Sequence, residues 1–141
     1  MFEEIRKSIE TRFSAQWPGA SANTPFVFEN APVKNPQPKT FARVTIHLGQ
    51  PVNSTIGRIR SPRHPGFLML QIFTPKNTGN AASRKLADAG KALFEFKQFV
   101  EGTVQIHFYA PGELQTVGER TDFFQENLML RFEACQTVNA D

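Results

Sequence analysis

Three stretches of this chain alternate with a period of two, and no other feature limits its fold as much. From Phe41 to Leu48, Ala42, Val44, Ile46 and Leu48 share one side, while Phe41, Arg43, Thr45 and His47 share the other. Val104, Ile106 and Phe108 alternate with Gln105, His107 and Tyr109; Leu128, Leu130, Phe132 and Ala134 alternate with Met129, Arg131 and Glu133. Successive side chains of a strand point to opposite faces, so each stretch is predicted as a strand with one face in a core. Phe67 to Phe73 is apolar on both sides apart from Gln71 and reads as a central strand covered on both faces. Phe26 to Glu29 is a short further strand entered through Pro25.

Two segments have helical spacing instead. Phe2, Ile5, Ile9 and Phe13 form one stripe, which predicts a helix over about 2–15, with Glu3 and Glu4 at its positive end and Pro18-Gly19 as its stop. Ala82, Leu86, Ala89, Leu93 and Phe96 form a second stripe, with Asn80 placed as its N-cap. Between the elements lie a spacer at 31–39 holding three prolines and a connection at 49–66 with Gly49, Pro51, Gly57, Pro62, Pro65 and Gly66. Prolines cannot donate to a ladder, and a connection of that length is usually functional or mobile. Pro111-Gly112 and Gly118 read as turns. The order predicts an α+β fold (an α/β sandwich): one mixed, largely antiparallel sheet with two helices on one face, plus a long mobile loop or hairpin at about 49–66. With 141 residues and no internal repeat or boundary, residues 1–141 form a single domain. A chain of this size buries about 70% of its unfolded surface, so neither disulfide nor metal is needed to hold it.

The charge is unevenly spread. Net charge is only +3, yet between Glu29 and Glu95 ten bases face the single acid Asp88, a net +9, and the flanks carry −6. Such asymmetry suits an anionic partner or a complementary copy of the chain itself. Arg58, Arg60 and Arg63, with His64, crowd the 49–66 connection. If 57–61 is extended, Arg58 and Arg60 project to one side, where arginine can grip phosphate or carboxylate bidentately. The plainer reading is a solvated loop kept soluble by its charges. Single-strand binders place aromatic residues among their bases, and this loop has none.

Catalytic chemistry finds little support. None of GxGxxG, GxxxxGK[ST], HExxH or GxSxG occurs. The histidines are His47, His64 and His107, a thin metal-ligand set, and the better reading is of surface imidazoles. A pairing of Cys135 with a histidine stays open from sequence; the plainer reading makes the thiol a small, half-buried apolar group. Glu95, Glu101, Glu113, Glu119, Asp122 and Glu126 are scattered and read as solvated. No enzyme, cofactor or metal is expected. The N-terminus lacks the apolar run of a signal peptide, and no window approaches the ~20 apolar residues of a spanning helix.

The ordered combination of elements carries a resemblance. The N-terminal helix with Ile5, Ile9 and Phe13 is followed by Phe26-Val27-Phe28-Glu29-Asn30, the proline spacer, and Thr40-Phe41-Ala42-Arg43-Val44. Then come Arg63-His64-Pro65-Gly66-Phe67-Leu68-Met69-Leu70-Gln71-Ile72-Phe73, and Gly79 leading to Ala81, Leu86-Ala87-Asp88 and Phe94. From about residue 3 to 134 the chain resembles the phage tail terminator-like family, of the phage minor tail protein U type. The resemblance implies a structural virion protein with no catalytic residues, a sheet with two helices against it, and a connection at 49–66 that neighbouring subunits order. It implies a homo-hexameric ring in the assembled tail that caps the tube, ends polymerisation and prepares head joining. The expected partners are copies of itself, the tail tube protein and a head-completion protein, with no membrane. A monomeric free subunit is compatible with this reading. The expected location is the virion tail, and the host cytoplasm during assembly. Arg58, Arg60, Arg63 and His64 are the candidate assembly interface. The alternative is a basic nucleic-acid-binding module of phage origin; otherwise the only nucleic acid met is passing DNA. The spacer at 31–39 departs from the family pattern in its length and lysines.

Overall fold

The computed structural model describes residues 2–20, 26–28, 40–53, 59–60, 62–75, 79, 81–119, 123–136 and 138–139. In chain order these form α1 (Phe2–Ala20), β1 (Phe26–Phe28), β2 (Phe41–Leu48), β3 (Val52–Asn53), β4 (Ile59–Arg60), β5 (Pro62–Pro75) and α2 (Ala81–Phe94). They continue as β6 (Gln98–Glu101), β7 (Val104–Phe108), β8 (Glu113–Glu119), β9 (Phe123–Gln136) and β10 (Val138–Asn139). Eight strands make one sheet in the order β1-β2-β5-β9-β7-β6, with β3 added beside β5 and β8 beside β9. Only β1–β2 is a parallel pair within it. The fold is the α+β architecture expected from the sequence, a mixed and largely antiparallel sheet with α1 and α2 on one face. A separate two-stranded ladder joins β4 to β10.

The centre is the antiparallel pair β5–β9, in register from Arg63↔Cys135 to Pro75↔Phe123. In β2, β7 and β9 the buried residues are among those the alternation selected, although Ile46 is half-buried and Leu48 exposed; β5 adds its own inward set. Ala42, Val44, Leu68, Leu70, Ile72, Val104, Ile106, Phe108, Leu128, Leu130, Phe132 and Ala134 are all buried. At roughly 25 cal/mol per Å² of apolar surface, this layer and the helix stripes facing it are the main stabilising term.

Both helices differ from their expected stripes in an instructive way. In α1 the four-residue spacing of Ile5, Ile9 and Phe13 continues to Trp17, which is fully buried and stacks on Phe13 at 4.9 Å. That extra turn of burial carries the helix through Pro18-Gly19 to Ala20, beyond the expected stop. In α2 the buried residues are Ser83, Leu86, Ala87, Gly90, Leu93 and Phe94, whereas Ala82 is exposed, so the stripe is rotated from the expected one. Gly90 sets that rotation. A Cβ on it would meet Leu70 Cδ2 at 2.6 Å and Leu128 Cδ2 at 3.1 Å, so glycine lets the helix axis come down onto the sheet. Asn80 lies outside the described residues.

Three further expectations change. The first five residues of β5, 62–66, belong to the strand and not to the 49–66 connection, because β9 and β3 pair with them. β5 is central but is covered by helices on one face only; Phe67, Met69 and Phe73 point to the other face and are half-buried. And 113–119, expected as loop and turn, is strand β8, which absorbs Gly118 (φ 101°) at a bulge.

One residue is held against its backbone preference. Phe96, just past α2, has φ 58°, while Lys97 N donates to Phe94 O at 3.0 Å in the manner of a helix C-terminal turn. Glycine is the usual occupant there, and an L side chain costs roughly 1–2 kcal/mol. The ring is nonetheless exposed, at 58%.

Candidate assembly surface

Of the candidate residues in the 49–66 connection, the fold places Arg63 and His64 on opposite faces of β5. Arg58 lies outside the described residues. Arg60 is in β4, in register with Val138 of β10. Arg63 is on the sheet face away from the helices, and its Nε lies 3.1 Å from Glu133 Oε1. His64, the next residue along the strand, points to the helix face, where its ring meets Phe2 edge-on at 5.6 Å. Adjacent residues of a strand cannot share a face.

The fold also pairs part of the linear charge split within the chain. Arg63 meets Glu133, Arg84 meets Glu126 at 3.4 Å, Lys91 meets Glu95 at 3.5 Å, and Arg131 meets Glu113 at 3.8 Å. Three of these four join a base of the +9 middle to an acid of the C-terminal flank. What looks like opposed blocks in sequence becomes interleaved pairs in space.

Glu126, expected in solvent, is fully buried. Its carboxylate accepts hydrogen bonds from Ser83 Oγ and from Thr116 Oγ1 at 3.2 Å, and the Arg84 guanidinium lies against it. A buried carboxylate is tolerable only when its lone pairs are filled this way. The group ties the first turn of α2 to β9 and β8. Its burial was legible: the parity of Leu128, Leu130, Phe132 and Ala134 puts Glu126 on the same inward face. Glu95 is tied down as well, accepting from Gly112 N at 2.6 Å and so holding the Pro111-Gly112 turn.

The uncovered sheet face is mixed in character. Phe41 stacks on Phe73 at 4.6 Å with Phe123 edge-on at 5.4 Å, and Arg43 lies over Phe73 at 5.9 Å. Met69 sits opposite Met129 in register, and His47 stacks on Phe67 at 4.6 Å. Cys135 is half-buried on this face; burial raises its thiol pKa first, Glu133 adds to that, and Arg63 opposes it. A thiol shifted that way is the reverse of an activated nucleophile. His47 aligns with Phe67 and Arg131, four residues along β9 from Cys135, or roughly 13 Å at the rise of a strand. Among the described residues no three His, Cys, Asp or Glu side chains come together as a metal site. No described helix is long and apolar enough to cross a membrane.

A fold of this kind does not by itself define the chain's role, and the family does more. Its family is shown directly: residues 4–124 match the phage tail terminator protein family, and the chain belongs to it. That family makes structural proteins of the phage tail, which places the chain in the virion tail. Eleven chains among solved structures match as well. One superposes with a TM-score of 0.71 over 96% of this chain and 95% of that chain, at 14% identity, a likeness of fold. No curated protein matches the sequence.

Proposed function

We propose that the chain caps the end of the phage tail tube as a ring of identical subunits, ends tube polymerisation and leaves a surface for head joining. The family match over residues 4–124 carries this reading. The assembled form is a homo-hexamer built in the host cytoplasm, its partners the tail tube protein and a head-completion protein, and no catalysis is involved. The 49–61 connection serves as a contact to the adjacent subunit or the tube, with Arg58, Arg60 and Arg63 meeting acids of β8. On β8 Glu113 and Glu119 stand exposed, whereas Glu126 is sealed inside. His64 supports this contact from beneath, through Phe2.

The 49–66 connection carries no aromatic residue on which a base could stack, which favours protein over nucleic acid as its partner. Tail assembly in a phage lacking its own copy is the test. A triple Arg58→Ala, Arg60→Ala, Arg63→Ala chain is expected to leave tails of uncontrolled length without heads. Tails of normal length from the triple variant overturn the role given to these arginines. A wild-type chain that binds tube ends without forming particles of six copies overturns the ring.

A further inference from the structure

We infer that the C-terminal strand β10 positions the 49–61 connection for its assembly contact, holding β4 in the free subunit as an extension of the central ladder. This rests on the reading above that the connection makes that contact, and adds what holds it there.

β4 and β10 form their own two-stranded ladder, with Arg60 opposite Val138 and Ile59 opposite Asn139. The offset is the one that sets Arg63 opposite Cys135 in β5–β9, with no residue gained or lost on either strand between the two ladders. Independent pairings have no reason to share an offset, because a bulge or a slip of one residue changes it. β4–β10 is therefore the outer end of one ribbon that begins at Pro75 and Phe123. Its register is set far inside the fold, where Leu68 lies opposite Leu130 and Leu70 opposite Leu128 on the buried face.

The flanking strands stop short of this end. β3 reaches Pro62 on one side, and β7 reaches Gln136 on the other. Past them, β10 is the one described strand that pairs with β4. A two-residue ladder alone would not hold, since even a full two-stranded hairpin is marginal in water. As the continuation of a ladder of thirteen pairs it needs no loop closure of its own. The near end of the connection is held separately: Gly49 N donates to Pro65 O at 2.7 Å, and Val52 and Asn53 pair with Arg63 and Pro62. So β5 secures the near end, and β10 secures the far end, which carries Arg60 of the candidate interface. Fixing a backbone residue costs conformational entropy, and residues already ordered in the free subunit do not add that cost when they dock. A C-terminal strand paired with β4 therefore favours the assembly contact without touching the partner.

Proteolysis of the full chain is the test. Val138→Pro with Asn139→Pro removes both backbone donors of β10 from the ladder. Trypsin cleavage after Arg58 and Arg60, read by mass spectrometry, is expected to rise at least tenfold. The melting temperature is expected to stay unchanged, because the last core residue of β9 is Ala134. Val138→Ala with Asn139→Ala keeps both donors and is expected to be cut at the parent rate. A double-proline chain cut no faster than the parent overturns the inference, and so does a double-alanine chain cut as fast as the double-proline one. A second arm needs no weakened chain: Ile59→Cys with Asn139→Cys, in a Cys135→Ser chain, sets two thiols on directly opposed residues. They are expected to close a disulfide within the monomer. The locked chain is expected to end tails at normal length in the complementation assay above, where the double-proline chain does not. Failure of the disulfide to form, or a locked chain that ends tails only after reduction, overturns the inference. Protection of Arg60 by β10 in a chain that never forms particles of six copies would show that the positioning stands and the ring reading fails.

Discussion

The two faces of the sheet share one backbone and one period, and they differ in what each side chain must satisfy. The inward face is apolar from Val104 to Ala134 and admits one carboxylate, Glu126, whose acceptors are filled. The outward face has fewer large apolar groups; Phe41, Phe73 and Phe123 shield one another, and its charges pair side by side as Arg63–Glu133 and Arg131–Glu113. Burial against helices and burial against strand neighbours are therefore reached at different cost. The first needs complementary elements; the second needs only register.

Substitutions should separate the two faces. Leu128→Ala, fully buried under α2, is expected to lose about 2–5 kcal/mol by urea denaturation, as cavities in such cores do. Glu126→Ala removes the carboxylate shared by Ser83, Thr116 and Arg84 and should lose about 1–3 kcal/mol, again read from the urea midpoint. Met129→Ala, on the outward face beside Leu128, should lose about 1 kcal/mol. A loss matching that of Leu128→Ala would mean the outward face is as enclosed as the inward one, and the contrast would break. Arg63→Ala removes an exposed pair and should change stability by less than about 1 kcal/mol. The finest test is chemical: Cys135, with its pKa raised, should react with iodoacetamide at pH 8 more slowly than free cysteine. Arg63→Ala should slow it further by removing the one influence that lowers the pKa.

Strands β2, β7 and β9 were legible because alternation between Ile or Val and charged residues leaves one possible face. β5 was half-legible: Phe67, Met69 and Phe73 say that the strand is central but not which side the helices cover. α2 was misread by a rotation because Ala82 and Ala89 look more apolar than Ser83 and Gly90. The buried stripe was instead chosen by a hydrogen bond to Glu126 and by the close approach of Leu70. β8 was missed because its side chains are mostly exposed and Gly118 reads as a turn, when it sits at a bulge within the hairpin that pairs β8 with β9. The partners of Arg63, Arg84 and Lys91, namely Glu133, Glu126 and Glu95, are set by the fold, and the uneven charge along the sequence does not reveal them.

The place of β9 in the strand order has a consequence for the timing of synthesis. β9 pairs with β5 along its whole length on one side and with β8 and β7 on the other. A nascent chain that has not yet emerged past residue 136 thus holds β5 with a bare edge, and β7 and β8 with no strand between them and β5. Most of the sheet's pairing waits for β9, so the sheet forms cooperatively around that strand. A fold that closes only when β9 is in place keeps chains without that strand from offering a finished surface.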